Sequence, residues 1–162
     1  MKSFDITVKA ELIRELKDAF KSESHPGWVS DRCGRDICQE LEDRCFSLTQ
    51  DNLSLTDAQF LMSNMVLLNS DAFRYFTAPL LDIALRSLSS VPFEDLIQNF
   101  LCYPEFPDPN HYQQKRLERF SPIQARIVLK ILNYWFESTE IEMVWRESIE
   151  KSLKFWRHQS QI

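Results

Sequence analysis

Residues Ser70–Leu88 read SDAFRYFTAPLLDIALRSL, and this stretch decides the fold. Ala72, Phe73, Tyr75, Phe76, Leu80, Leu81, Ile83, Ala84, Leu85 and Leu88 leave almost no side of a helix polar. A helix that is apolar nearly all round belongs at the centre of a protein. Ser70 or Asp71 is placed to cap it, which predicts a helix over about 71–89. Pro79 falls inside. Proline has no amide hydrogen and crowds the carbonyl four residues back, here that of Tyr75, so a kink or a break is expected.

The flanking segments repeat their apolar residues every three and four positions. Val8, Leu12, Ile13, Leu16, Ala19 and Phe20 make one stripe over 7–22, with Thr7 or Asp5 as cap, and His25-Pro26-Gly27 ends it. Ile37, Leu41 and Cys45, with Cys38 beside them, mark the buried side of a second helix over 33–46. Thr56-Asp57-Ala58-Gln59 has the form of a capping box before a third. A short helix is expected after Pro92. Three prolines make 103–112 irregular, and Lys115-Arg116-Leu117-Glu118-Arg119 reads as a solvated, charged turn. Ser121-Pro122-Ile123-Gln124 starts a late helix, with proline at its first position. A last helix is expected over 139–157, acidic early and basic late, as the helix dipole favours. No alternating strand is visible. The expected fold is all-α, one domain over 1–162, with about six helices around the Pro79-kinked one.

Gly27 and Gly34 are the only two glycines among 162 residues. A P-loop, a Rossmann turn and a nucleophile elbow each need glycines in patterns these two cannot supply. Both fall in 25–34, which makes that segment the most permissive stretch of backbone and the first place to look for a binding loop. Nineteen basic and 24 acidic residues give a net charge of −5, which repels nucleic-acid phosphate and anionic lipid. The longest charge-free run, between Asp57 and Asp71, is too short to span a membrane. Met1-Lys2-Ser3-Phe4-Asp5 carries an acid where a signal peptide would begin its apolar stretch, so a cytoplasmic protein is expected. Its four cysteines are then expected as free thiols.

Catalytic chemistry finds few footholds. None of His25, His111 and His158 stands in a Glu-x-x-His pair, and no HExxH occurs. No cysteine stands at a clearly electropositive helix start. Cys33, Cys38 and Cys45 do not have zinc-knuckle spacing, although with His25 they form the only conceivable metal or redox cluster. No metal or cofactor is expected, and the balance leans away from an enzyme. Aromatic residues in irregular segments are the better candidates, because large rings dominate the energetics of protein interfaces. Trp28 and Asp31 in the first such segment, and Tyr103, Phe106, Asp108 and Tyr112 in the second, are the candidate partner-binding residues. The alternative is an enzyme or small-anion binder, with a pocket beside Pro79 and Arg74 and Tyr75 receiving the anion. It requires Arg74 to point inward; a structural ion pair is the favoured reading of Arg74.

The order Asp71-Ala72-Phe73-Arg74-Tyr75-Phe76 with Pro79, then Phe120-Ser121-Pro122-Ile123-Gln124, then Leu132-Asn133-Tyr134 and Phe155-Trp156, resembles a family of small bacterial helical domains of unknown function. The resemblance covers about residues 10–157. It implies one compact helical domain and carries no activity. The stretch 91–112 and the cysteine cluster depart from the family's pattern. With the acidic charge and the aromatic loops, the expectation is an interaction protein, of an immunity or inhibitor kind, that binds a more basic protein.

Overall fold

The computed structural model describes residues 3–31, 34–86, 95–101, 112–138 and 143–161. They are all-helical: α1 (Ser3–Phe20), α2 (Asp36–Cys45), α3 (Leu55–Ser63), α4 (Ser70–Arg86), α5 (Tyr112–Leu117), α6 (Pro122–Glu137) and α7 (Met143–Gln159). A single 3-10 turn, Met65–Leu67, joins α3 to α4, and a six-residue π-helical turn, Asp95–Phe100, lies between α4 and α5. Among the described residues the one β contact is an isolated bridge between Ser30 and Leu68.

α4 is the centre. Ala72, Phe73, Tyr75, Phe76, Leu80, Leu81, Ala84 and Leu85 are all buried, as are Thr77 and Pro79 between them. α1 packs on α4 and on α6, α6 on α7, and α5 on α4. The rings at the junction interlock. Phe73 stacks on Phe100 at 3.9 Å between centroids, while Phe120 meets Phe20, Phe73 and Trp156 edge-on at 6.0, 6.3 and 5.2 Å. Trp156 also donates Nε1–H to the Leu101 carbonyl at 3.0 Å, so its one polar atom is satisfied inside the core.

The helix continues through Pro79 from Ser70 to Arg86 rather than breaking there. The Tyr75 carbonyl, deprived of its usual donor by the proline, accepts from Gln50 Nε2 at 3.2 Å. A loop residue thus supplies the bond that Pro79 removes.

Several boundaries differ from the sequence reading, each for a local reason. α1 begins at Ser3, so Asp5 and Thr7 lie inside it and do not cap it. α2 begins only at Asp36, and Arg35 before it makes no side-chain cap. The capping box of α3 is Ser54 with Asp57, two residues before Thr56-Gln59: Ser54 Oγ accepts from Asp57 N–H at 3.2 Å, and Asp57 accepts from Ser54 N–H at 3.2 Å. At α4 the cap is Asn69, whose Oδ1 accepts from Ala72 N–H at 2.8 Å, so Ser70 and Asp71 are already helical. The Ser121–Gln124 box stands as expected, with Pro122 at the first position. The last helix spans Met143–Gln159.

Two readings are corrected outright. The charged turn at 115–119 is partly a helix, and Arg116 in it is 1% exposed. Its guanidinium donates to the carbonyls of Met65 at 2.9 Å, Val66 at 3.0 Å and Leu68. The Met65 carbonyl also accepts from Leu68 N–H at 3.2 Å, and the 3-10 turn ends before Val66 and Leu68 gain helical donors. The five-donor fork of arginine satisfies them together. The second correction concerns the thiols: Cys38 is disulfide-bonded, its partner lying outside the described residues. The free-thiol reading was an inference from compartment and carried no geometry. Cys45 is free and buried.

Candidate functional site

The segment 25–31 follows α1 and is held by α2, the cap of α4 and the 3-10 turn. Gly27, at φ +74°, turns the chain. Its N–H donates to His25 Nδ1 at 3.2 Å, which leaves the ring hydrogen on Nε2, and Nε2 donates to the Cys45 carbonyl at 3.0 Å. The His25 ring lies edge-on to Tyr75 at 5.4 Å and Phe76 at 6.3 Å.

Two residues further on, the half-buried Glu42 of α2 acts as a clamp. Its carboxylate accepts from Val29 N–H at 3.0 Å, from Ser30 N–H at 2.7 Å and from the Ser30 hydroxyl. From the opposite side Asn69 Nδ2 donates to the Trp28 carbonyl at 2.7 Å, and Asn69 N–H donates to the Val29 carbonyl at 2.8 Å. Asp31 N–H reaches the Leu67 carbonyl at 3.0 Å, and the Asp31 carboxylate lies 3.7 Å from Arg116. The backbone of 28–31 is therefore fixed by α2, by the cap of α4 and by the 3-10 turn.

Val29 and Ser30 are buried, yet Trp28 is 55% exposed. It forms one wall of an open cavity of about 500 Å³, lined also by Ser30, Gly34, Arg35, Asp36, Cys38, Gln39 and Glu42. Gly34, at φ +69°, brings the chain round into α2 beside it. Asp36, Gln39, Glu40 and Asp43 are all exposed and lie along the outer face of that helix. Asp36, Glu40 and Asp43 make no ion pair among the described residues. The one base of α2, Arg44, pairs with Asp57 at 3.3 Å, covers the Phe60 ring at 4.2 Å and lines a shallow cleft with Asp36, Gln39, Glu40 and Asp43.

Two titrating groups frame the base of this region. Burial, with Glu42 and Asp57 nearby, pushes the Cys45 thiol up to about 12, so the sulfur stays protonated and unreactive. The Ser54 hydroxyl, helped by Arg44, holds the Asp57 carboxyl below its ordinary value. His25 is hydrogen-bonded, Cys38 is disulfide-bonded and the Cys45 thiol is buried, and no set of three or more potential metal ligands occurs among the described residues. Cys33 lies outside them.

Arg74 and Tyr75 are placed elsewhere. Arg74 Nε donates to Glu23 Oε2 at 2.9 Å and Nη1 to the Arg119 carbonyl at 3.2 Å, while Glu23 Oε1 accepts from Gln124 at 2.7 Å. The network ties the end of α1 to α4 and to the start of α6. Tyr75 is 5% exposed. A cavity of about 230 Å³ does open beside Pro79, but Lys17, Lys21, Gln50, Asp51, Ala78 and Asp82 line it with Pro79; Arg74 and Tyr75 do not. Of the candidate partner-binding residues, Trp28 and Asp31 come together at the fixed segment. Tyr103, Phe106 and Asp108 lie outside the described residues, and Tyr112 is the first residue of α5.

Sequence reasoning missed Glu42 as a clamp and the acidic face of α2. The second was legible: Ile37, Cys38, Leu41 and Cys45 occupy one arc of the helix, which leaves positions 36, 39, 40 and 43 on the other. No helix among the described residues is long and apolar enough to cross a membrane. No family model, curated protein or solved structure matches the chain.

Proposed function

We propose that this chain is a protein-interaction module, of an immunity or inhibitor kind, that acts by covering a more basic protein. The observation that carries the reading is Trp28. An exposed tryptophan on a mobile loop would lose ordering entropy on binding, whereas this one stands on a backbone already bonded to Glu42 and Asn69. A large ring presented on fixed backbone is a common form of interface anchor. Asp31, whose side chain is 61% exposed, lies at the other end of the same segment. The net charge of −5 favours a partner of opposite sign and steers its approach.

The reading predicts a stoichiometric complex whose association rate falls as salt is raised. The test is affinity capture with the tagged full chain at low and at high salt from cells that make it, followed by rate measurements on the purified pair. Capture of one basic protein in fixed ratio, with a salt-dependent on-rate, supports the module. Absence of any stoichiometric partner at low salt overturns it.

A further inference from the structure

We infer that the disulfide at Cys38 is a redox lock on the segment that carries Trp28. Oxidised, it holds the start of α2 and with it the Glu42 clamp; reduction by a dithiol releases both while the bundle stays folded. The inference concerns how the segment is held, and it stands whether or not the chain is an interaction module.

α2 is poorly equipped to hold itself. It has ten residues, and a helix of that length is marginal without outside support. Arg35 before it makes no side-chain cap, so the first turn lacks that anchor. Its buried residues are Cys38, Leu41 and Cys45. The far end is tied by other bonds: His25 donates to the Cys45 carbonyl at 3.0 Å, and Arg44 pairs with Asp57 at 3.3 Å. At the near end the buried residue is Cys38, and it is disulfide-bonded. Glu42 follows Cys38 by four residues, one turn further along the same face. Its carboxylate accepts from Val29 N–H at 3.0 Å and from Ser30 N–H at 2.7 Å. The cross-link therefore stands one turn from the group that fixes the backbone next to Trp28. Trp28, Cys38 and Glu42 also line one open cavity, which gives a small dithiol a way in. The rest of the bundle closes without α2: α1 packs on α4 and α6, α6 on α7, and α5 on α4. Loss of the bond thus acts locally.

The exchange balances with the dithiol as sole co-reactant. One of its thiolates attacks a sulfur of the Cys38 bond, forms a mixed disulfide and releases the other cysteine, which takes up a proton. The second thiolate of the dithiol then closes on the mixed disulfide and frees the remaining cysteine. Two electrons and two protons pass to the chain, and the dithiol leaves as a cyclic disulfide. Cys45 does not scramble the bond, because the attacking species is a thiolate and burial pushes this thiol up to about 12.

The test follows amide exchange in the full chain, purified without reductant and then treated with dithiothreitol in native buffer. Non-reducing peptide mapping checks the Cys38 bond before treatment and its loss afterwards. Reduction should quicken exchange at Val29, Ser30 and the first turn of α2 about tenfold, with the amides of α4 as protected as before. Reoxidation with glutathione disulfide should restore the slow exchange. C38S should exchange at the reduced rate with or without dithiothreitol. In E42A, where the clamp is already gone, dithiothreitol should add less than about twofold at Val29 and Ser30. Three results overturn the inference: a reduced Cys38 in the chain as purified, unchanged exchange at Val29 and Ser30 once the bond is broken, or loss of protection throughout α4, the mark of a staple for the whole fold.

Discussion

α1 and α2 carry rows of three acids at one spacing, Glu11, Glu15 and Asp18 on the first and Asp36, Glu40 and Asp43 on the second, and treat them oppositely. On α1 each carboxylate answers a cation, and one of those cations, Lys130, belongs to α6 and helps hold the two helices together. On α2 the exposed row makes no ion pair among the described residues, although Arg35 and Arg44 line the clefts beside it, while Glu42 binds backbone amides. Charge on α1 and α4 closes the bundle. Charge on the outside of α2 closes nothing within it. The lesson is that a helix's sequence alone does not say which of its acids will be paired; the neighbours' cations decide.

The sharpest way to break this contrast is to remove a polar group that works inside. Arg116→Met takes the guanidinium donor from the carbonyls of Met65, Val66 and Leu68, and leaves Met65 with its Leu68 N–H alone. The expected loss is about 3–5 kcal/mol in urea unfolding. A loss under about 1 kcal/mol would mean that the guanidinium is not what holds the turn.

Glu42→Ala should come next. It takes the acceptor from Val29 and Ser30 and should cost about 1–3 kcal/mol. Amide exchange at Val29 and Ser30 should quicken while the core of α4 stays protected. Unchanged exchange at those amides would show that the clamp is dispensable.

The smallest effect expected here is a pH dependence. The Asp57 carboxyl is held below its ordinary 3.8 chiefly by the Ser54 hydroxyl. A depressed folded value makes the contribution complete above 3.8 and lost as pH falls through the folded value. Asp57→Asn should therefore flatten the acid end of the stability curve and leave its slope near neutrality unchanged. An unaltered acid limb would contradict the assignment. Cys45, protonated and buried, should resist alkylation by iodoacetamide in the native chain and react after unfolding.

Much of the fold was legible because it depends on period. The apolar stretch 70–88 marked the central helix, and Ser121-Pro122-Ile123-Gln124 marked the start of α6. Caps that depend on one side chain's reach were not: Asn69 and Ser54 compete with equally suitable neighbours, and only the path of the loop chooses between them. Arg116 was illegible for another reason. Its partners are main-chain carbonyls some 50 residues earlier, and carbonyls leave no mark in a sequence. The site was half legible. Two glycines pointed to 25–34 and to Trp28, but the Glu42 carboxylate that holds this segment bonds to main-chain amides, which leave no mark in a sequence.

The most direct test of the account is capture with Trp28→Ala, set beside its urea midpoint. The account predicts a stability within about 1 kcal/mol of the unaltered chain, because more than half of the ring is exposed, together with loss of the low-salt partner. A variant that folds as well and still captures the partner in full would contradict the claim that the fixed segment at Trp28 is there to be bound.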